Sequence, residues 1–378
     1  ENMARKVLYI VFVALLFLPL SNFVFHYMKS KKLNGWQAPA EKPVLSINNL
    51  FSGDFQNKAE KYYKQNTGFA TDFIRLRNEV FYSCLHINPN RDMIISKDGY
   101  FYENSYIFNG VLGHDFVGED TVVCKAEKIK RLQDTLRKEG KDLIVVFAAG
   151  KGSYFKEHIP EELLHQPKKT TNYEAYSSCF KEIGVNFIDF KAWFLAMKDT
   201  ISYPLFTKLG LHWNKFGVAL VTDSLVRYYD KIFPDMPSLT IDYSIINNKN
   251  WFNESDGFDN LNTIFHPKYE RLPHPELYYK QKNDRKRPML ITVADSYNWS
   301  LHAYGFADKY FEDSQYWYYN DFAYCFGERG NIDMKDENFV WEDEIKKASC
   351  FMLLFTDANL KDFDRGFINK LYNYYFER

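Results

Sequence analysis

Two short stretches carry the residue types of acyl-transfer chemistry. TKLGLHWNKFG, residues 207–217, presents His212 beside a tryptophan, just before a helix expected to begin at Asn214. TVADSYNWS ends an apolar run with Asp295 and Ser296, ahead of a second expected helix. A serine hydroxyl is a weak nucleophile until an adjacent base takes its proton, and histidine is the commonest such base. A serine at a helix start also meets backbone N–H groups that can hold a developing oxyanion. Ser296 as nucleophile and His212 as base is the chemistry these residues offer. Their plainer roles are a helix cap for Ser296 or Asp295 and a packed, hydrogen-bonded ring for His212. The sequence contains no GxSxG, so the nucleophile elbow of a standard α/β-hydrolase is not expected. A catalytic histidine usually has a carboxylate on its second ring nitrogen. Two residues before His212, where that carboxylate could sit, stands Gly210.

The elements that must position these residues follow from hydrophobic periodicity. Residues 51–85 read as two helices broken at Gly68, and RDMIISKDGYFYENSYI reads as a hairpin turning at Lys97-Asp98-Gly99. From about Thr121 helices and strands alternate. A helix over 122–139 precedes the buried strand DLIVVFAA, a helix in NYEAYSSCFKEIG precedes VNFIDF, and an amphipathic helix follows Asn214. MLITVADS and ASCFMLLFTD are further apolar strands. Uninterrupted apolar strands alternating with helices predict a mostly parallel α/β sheet covered on both faces. In such sheets ligands gather where loops leave the carboxyl ends of the strands. That rule singles out the loop after VVFAA, the VADS turn and the region of His212. Residues 233–288 are rich in Pro, Asn and aromatics without clear periodicity and read as an irregular insertion, with the basic run KNDRKRP taken as solvated.

Composition narrows the function. The chain has 378 residues, 46% hydrophobic, with a net charge of -1, which gives no argument for nucleic acid. Five scattered cysteines form no CxxC, so no metal site or disulfide framework is expected. The loop AAGKGSYF, containing Gly150 and Lys151, lacks the spacing of a phosphate-binding loop: Gly152 follows the lysine and Val145 holds the first glycine position. Val7–Phe25 is uncharged and apolar, about the length that a membrane-spanning helix needs. The expected organisation is a membrane anchor over residues 1–28 and a domain outside the cytoplasm over 29–378. A secretory signal peptide shares the layout of the apolar segment but has a shorter core.

Six segments in order resemble the SGNH-hydrolase-like proteins of the alginate O-acetyltransferase group (AlgJ/AlgX-like). FATDFIRLRNEVF resembles that family's early D-x-F-x-x-R helix, SKDGYFYENSYI its GKDGWLF hairpin, and VVFAAGKGSYFKEHIP its P-x-K-x-x-x-Y-P loop. GVNFIDF resembles the strand VIDL, LGLHWNKFG the D-x-HWN-x-x-G motif, and TVADSYN the GDSF nucleophile motif. The resemblance implies an SGNH-like parallel sheet with flanking helices. It also implies an O-acyltransferase or acylesterase that needs no cofactor and works with a multi-spanning membrane-bound O-acyltransferase on an exported polysaccharide. The implied location is a single-pass protein of the bacterial cytoplasmic membrane with its catalytic domain in the periplasm. Carried over residue by residue, Ser296 is the nucleophile and His212 the base, with Lys151, Gly150 and Asn214 in the oxyanion and substrate loops.

The sequence departs from the family where Ala294 replaces the glycine of GDS and Gly210 replaces the triad aspartate. A carboxylate from elsewhere, Asp189 or Asp295, could orient His212; a backbone carbonyl could do so instead. The remaining outcome is a weak site in a non-catalytic accessory subunit that binds glycan or a membrane acyltransferase.

Overall fold

The computed structural model describes residues 2–35, 40–247, 254–268, 270–326, 330–337 and 339–377. Parts of the expected linker (36–39) and of the 233–288 region (248–253 and 269) lie outside the described residues. The chain forms two compact units, Glu1–Arg91 with Phe258–Pro267, and Asp92–Gly257 with Lys268–Arg378.

The first unit is helical. The helix Asn2–Phe25 contains the apolar segment, and by length and composition it can cross a membrane. Helices Asp54–Asn66 and Ala70–Glu79 meet at Gly68, the break that the sequence marks. Glycine is required there by a close approach: a Cβ would lie 2.5 Å from the Pro19 carbonyl oxygen. From the Ala70–Glu79 helix, Arg75 donates to the carbonyls of Lys32 and Thr263, and Asn78 to that of Leu261.

The second unit holds thirteen strands among the described residues. They are β1 (Met93–Ile95), β2 (Phe101–Glu103), β3 (Asp142–Ala148), β4 (Phe187–Asp189), β5 (Ser238–Asp242), β6 (Ile246–Asn247), β7 (Leu272–Pro273), β8 (Glu276–Lys280), β9 (Leu290–Ala294), β10 (Gln315–Tyr318), β11 (Phe322–Cys325), β12 (Ile332–Asp333) and β13 (Cys350–Thr356). Seven form one sheet in the order β12-β11-β10-β9-β13-β3-β4. The run from β10 to β4 is parallel, and β11 and β12 add an antiparallel edge.

The centre of this sheet follows from residue type. β9, β13 and β3 are apolar except for Thr292, Thr356 and Asp142 and buried at every position, as a strand covered on both faces requires. Leu143, Val145 and Phe147 of β3 and Phe351, Leu353 and Phe355 of β13 join one core with residues of the helices Glu119–Lys138, Asn172–Ile183 and Phe367–Phe376. The alternate residues Ile144, Val146, Met352 and Leu354 are equally buried on the opposite face. Helix ends obey local chemistry. Thr171 and Glu174 close a capping box before Asn172–Ile183, and Gly184 ends that helix in the left-handed conformation. The sheet thus brings the carboxyl ends of β3, β9, β10 and β13 side by side.

Candidate active site

Ser296 follows β9 by two residues, and the side chain before it fixes the turn. Asp295 is fully buried and accepts from the N–H of Tyr297 (3.1 Å), the N–H and hydroxyl of Thr356 (both 2.9 Å) and Asn359 Nδ2 (2.8 Å). These bonds tie the end of β9 to the end of β13 and leave Ser296 at the tip, partly exposed. Burial pushes the Asp295 carboxyl up despite its donors.

His212 reaches Ser296 from the loop before the helix Lys215–Asp230. Its Nε2 lies 2.7 Å from Ser296 Oγ and its Nδ1 lies 2.5 Å from Asp256 Oδ2. An Nδ1–H donating to Asp256 leaves Nε2 as the acceptor of the serine proton, the tautomer a general base needs. The ring is buried. Burial alone lowers its pKa, but the Asp256 charge and hydrogen bond, with Glu103 and Asp295 behind them, raise it above the ordinary value. Tyr297 packs its ring 4.7 Å from the imidazole and donates its hydroxyl to the Leu211 carbonyl at 3.1 Å.

Asp256 comes from the region expected to be a solvated insertion, and it is built into the histidine loop. Its Oδ1 accepts from the N–H groups of Leu211 (2.7 Å) and Gly257 (3.1 Å). The Thr207 hydroxyl donates to the Glu254 carbonyl and accepts from Gly210 N–H at 2.9 Å. Glu254 in turn accepts from the Lys215 N–H at 3.0 Å. Gly257 allows the two loops to meet, because a Cβ there would lie 2.6 Å from the Leu209 carbonyl oxygen and 2.9 Å from Phe101 Cβ.

The two carboxylates named from sequence do other work. Asp189, at the end of the edge strand β4, caps the helix Phe190–Met197 through Ala192 N–H (2.9 Å) and accepts from the Tyr173 hydroxyl (2.9 Å). Asp295 is consumed by the β9–β13 clamp. Neither contacts His212; Asp256 does. No sequence pattern pointed to Asp256 beyond the Asp-Gly turn signal at 256–257.

Asn214 is likewise a helix cap. Its Oδ1 accepts from Gly217 N–H (2.9 Å) and its Nδ2 donates to the Pro204 carbonyl (2.8 Å). Lys151 is wholly buried, with Nζ 2.8 Å from the Lys208 carbonyl and 2.6 Å from the Gly210 carbonyl. Burial pulls its ammonium down to about 7, with Asp256 and Glu270 opposing. It braces the backbone that carries His212, and the position that lacks the family aspartate is the one it holds. Gly150 is pressed against Asp357, whose Oδ1 would lie 2.2 Å from any Cβ. Asp357 also pairs with Lys191 (2.7 Å) and accepts from Ser153. Among the described residues no cluster of His, Cys, Asp and Glu could hold a metal ion. A buried base hydrogen-bonded to a partly exposed serine and to a carboxylate can activate that serine toward an acyl carbon.

Comparison with known proteins bears on the segment that carries this base. Residues 113–238 match the family model described as SGNH hydrolase-like domain, acetyltransferase AlgX. The fold is similar to the O-acetyltransferase domain of Pseudomonas putida AlgJ (TM-score 0.44, 13% identity, 75% of this chain and 99% of that one). It is also similar to Pseudomonas aeruginosa AlgX (0.42, 13%, 72% and 66%) and to Bacillus cereus PatB1 with a sulfonyl adduct (0.42, 10%, 71% and 97%). No curated protein matches the sequence. The family-model match includes His212 and the helix behind it, and it ends before Asp256 and Ser296.

Proposed function

We propose that the protein is an SGNH-type O-acetyltransferase that forms an acyl-enzyme on Ser296 and delivers the acyl group to a sugar hydroxyl of an exported polysaccharide. One observation carries this reading: Ser296, His212 and Asp256 form a continuous hydrogen-bonded line.

In the first half-reaction His212 Nε2 takes the proton of Ser296 as Oγ bonds to the acyl carbon of an ester or thioester donor. The tetrahedral oxyanion collapses, and the donor's leaving group departs with the proton that His212 returns. In the second half a sugar hydroxyl gives its proton to His212 and attacks the acyl-serine; Ser296 leaves and is reprotonated. Water in place of the sugar gives hydrolysis. Asp256 steadies the imidazolium in both halves. The Ser296 backbone N–H, at the turn leaving β9, is our candidate oxyanion donor.

The partner in this reading is a multi-spanning membrane-bound O-acyltransferase that supplies the acyl group. The helix Asn2–Phe25 would hold the chain in the cytoplasmic membrane with the second unit on the periplasmic side. The accessory-subunit reading was motivated by Gly210 and by the membrane anchor; the Asp256 contact speaks against the first motive and leaves the second. The decisive assay is acetyl release from p-nitrophenyl acetate by the full chain, compared with Ser296→Ala and His212→Ala. Equal rates in all three proteins would refute the proposal.

A further inference from the structure

We propose that Glu103 is the acceptor-recognition carboxyl of the Ser296 site, selecting a sugar unit that presents hydroxyl or ammonium groups over one that presents a carboxylate. This inference rests on the acyl-transfer reading above and names the substrate class it would serve.

The hairpin end that carries Glu103 abuts the nucleophile turn. Glu103 closes β2, and the short helix after it packs the Tyr106 carbonyl onto Gly152, where a Cβ would stand 2.7 Å from that oxygen. The Tyr106 ring lies 6.3 Å from that of Tyr297, the residue after Ser296. The Phe101 N–H donates to the Lys208 carbonyl at 3.1 Å, joining the same hairpin to the loop that bears His212.

Glu103 is only partly exposed and poorly satisfied by the protein. One of its oxygens accepts from Ser105 Oγ at 3.3 Å, and among the described residues no lysine or arginine pairs with it. A half-buried carboxyl with one long hydrogen bond keeps acceptor capacity that a ligand donor can use. Burial raises its pKa, His212 opposes that shift, and Asp256 and Asp295 add to it. The charges that act on His212 are likewise carboxylates: Asp256, Glu103 and Asp295. An incoming carboxylate would meet like charge here, whereas a sugar hydroxyl or ammonium would supply a further donor. Tyr318, the last residue of β10, and Trp299, in the helix that follows Ser296, are both partly exposed with ring centroids 5.8 Å apart.

The test uses the full chain in detergent with p-nitrophenyl acetate as acyl donor. Three acceptors of equal length are compared: a β-1,4-glucan oligomer, a glucosamine oligomer and a galacturonate oligomer. Acetylated product is measured by mass spectrometry and expressed as kcat/KM. Wild type is expected to favour the neutral and amino sugars over the uronate by about tenfold or more, the scale of one like-charge contact in a partly buried site. Glu103→Gln should shrink the amino-sugar-to-uronate ratio by about tenfold through KM, and Glu103→Lys should reverse it. Equal or better use of the uronate by wild type overturns the inference and requires no variant to fold. So does a ratio unchanged in Glu103→Gln, or Ser296-dependent hydrolysis with no acceptor acetylated. Absence of p-nitrophenol release from wild type is a different failure: it removes the Ser296 reading itself.

Discussion

Asp256 lies 2.5 Å from the Nδ1 of His212, although 44 residues of chain separate them. The acid that AlgJ/AlgX-like motifs place two residues before the histidine is here delivered by a separate loop, and the histidine loop is built to receive it. The Leu211 N–H points to the same carboxylate, and the Thr207 hydroxyl bonds the backbone at Glu254.

Asp256→Asn is expected to reduce kcat on p-nitrophenyl acetate by about 10³- to 10⁴-fold, the cost of losing the orienting acid of a serine triad. Asp189→Asn should leave kcat within about threefold, because Asp189 touches no reacting group. Steady-state kinetics on the two variants side by side decide between them; a larger loss from Asp189→Asn would reassign the acid.

Gly257→Ala places a methyl 2.6 Å from the Leu209 carbonyl oxygen, a backbone atom that cannot swing aside. The loops must separate, which draws Asp256 from His212. We expect about 1–3 kcal/mol of destabilisation by thermal or urea unfolding, with a drop in kcat of at least about tenfold. A variant with wild-type kcat would mean that Asp256 does not depend on that close approach.

The pH profile follows from the His212 environment. The base must be neutral to accept the serine proton, so kcat/KM should climb as pH rises through the raised pKa of His212 and then level off. In Asp256→Asn the main raising influence is gone while burial still lowers the value, so the acid limb should move to lower pH and its plateau should fall. Stability runs the other way. A histidine whose folded pKa is raised stabilises the fold below its unfolded pKa, and that contribution is lost as pH rises through the folded value. Limbs that coincide in the two proteins would contradict the Asp256 assignment.

Lys151→Met removes the donor to the buried Gly210 carbonyl, while the Lys208 carbonyl keeps the Phe101 N–H, and should cost about 1–3 kcal/mol, with a fall in kcat through His212. The pH dependence of stability isolates the group. With its folded pKa near 7, Lys151 sheds its proton in the fold while the unfolded chain keeps it to about 10.4. Stability from this group therefore rises with pH across that window. Urea unfolding at pH 6 and pH 9 should show a smaller increment in Lys151→Met than in wild type; equal increments would mean that the buried amine does not titrate there.

Much of the frame was legible from residue order. The apolar runs of β3, β9 and β13 need cover on both faces, which dictates a parallel sheet and puts the turns at Ala149 and Asp295 on one edge. That rule alone brought Ser296 and the His212 region into consideration together. The acid was not legible, because hydrophobic periodicity describes regular elements and Asp256 sits in an aperiodic stretch closed by long-range hydrogen bonds. β10 and β11 were hidden for a related reason. β10 carries aromatics on both faces and β11 on one, and the turn between them uses Tyr319 and Asn320 at positive φ, without the usual Asn-Gly or Asp-Gly signal. Asn214, assigned to the substrate loop from the HWN motif, is spent on its own helix, as its position immediately before Lys215 allowed.

The histidine motif and its acid fall on opposite sides of residue 238, where the family match ends. The D-x-HWN signature alone therefore shows only a glycine two residues before His212 and misses the carboxylate that meets its Nδ1. For chains with this architecture, the informative question is whether a downstream Asp-Gly pair can close on the histidine loop. A survey that scores the triad by spatial neighbours instead of by motif letters would sort active from degenerate members differently.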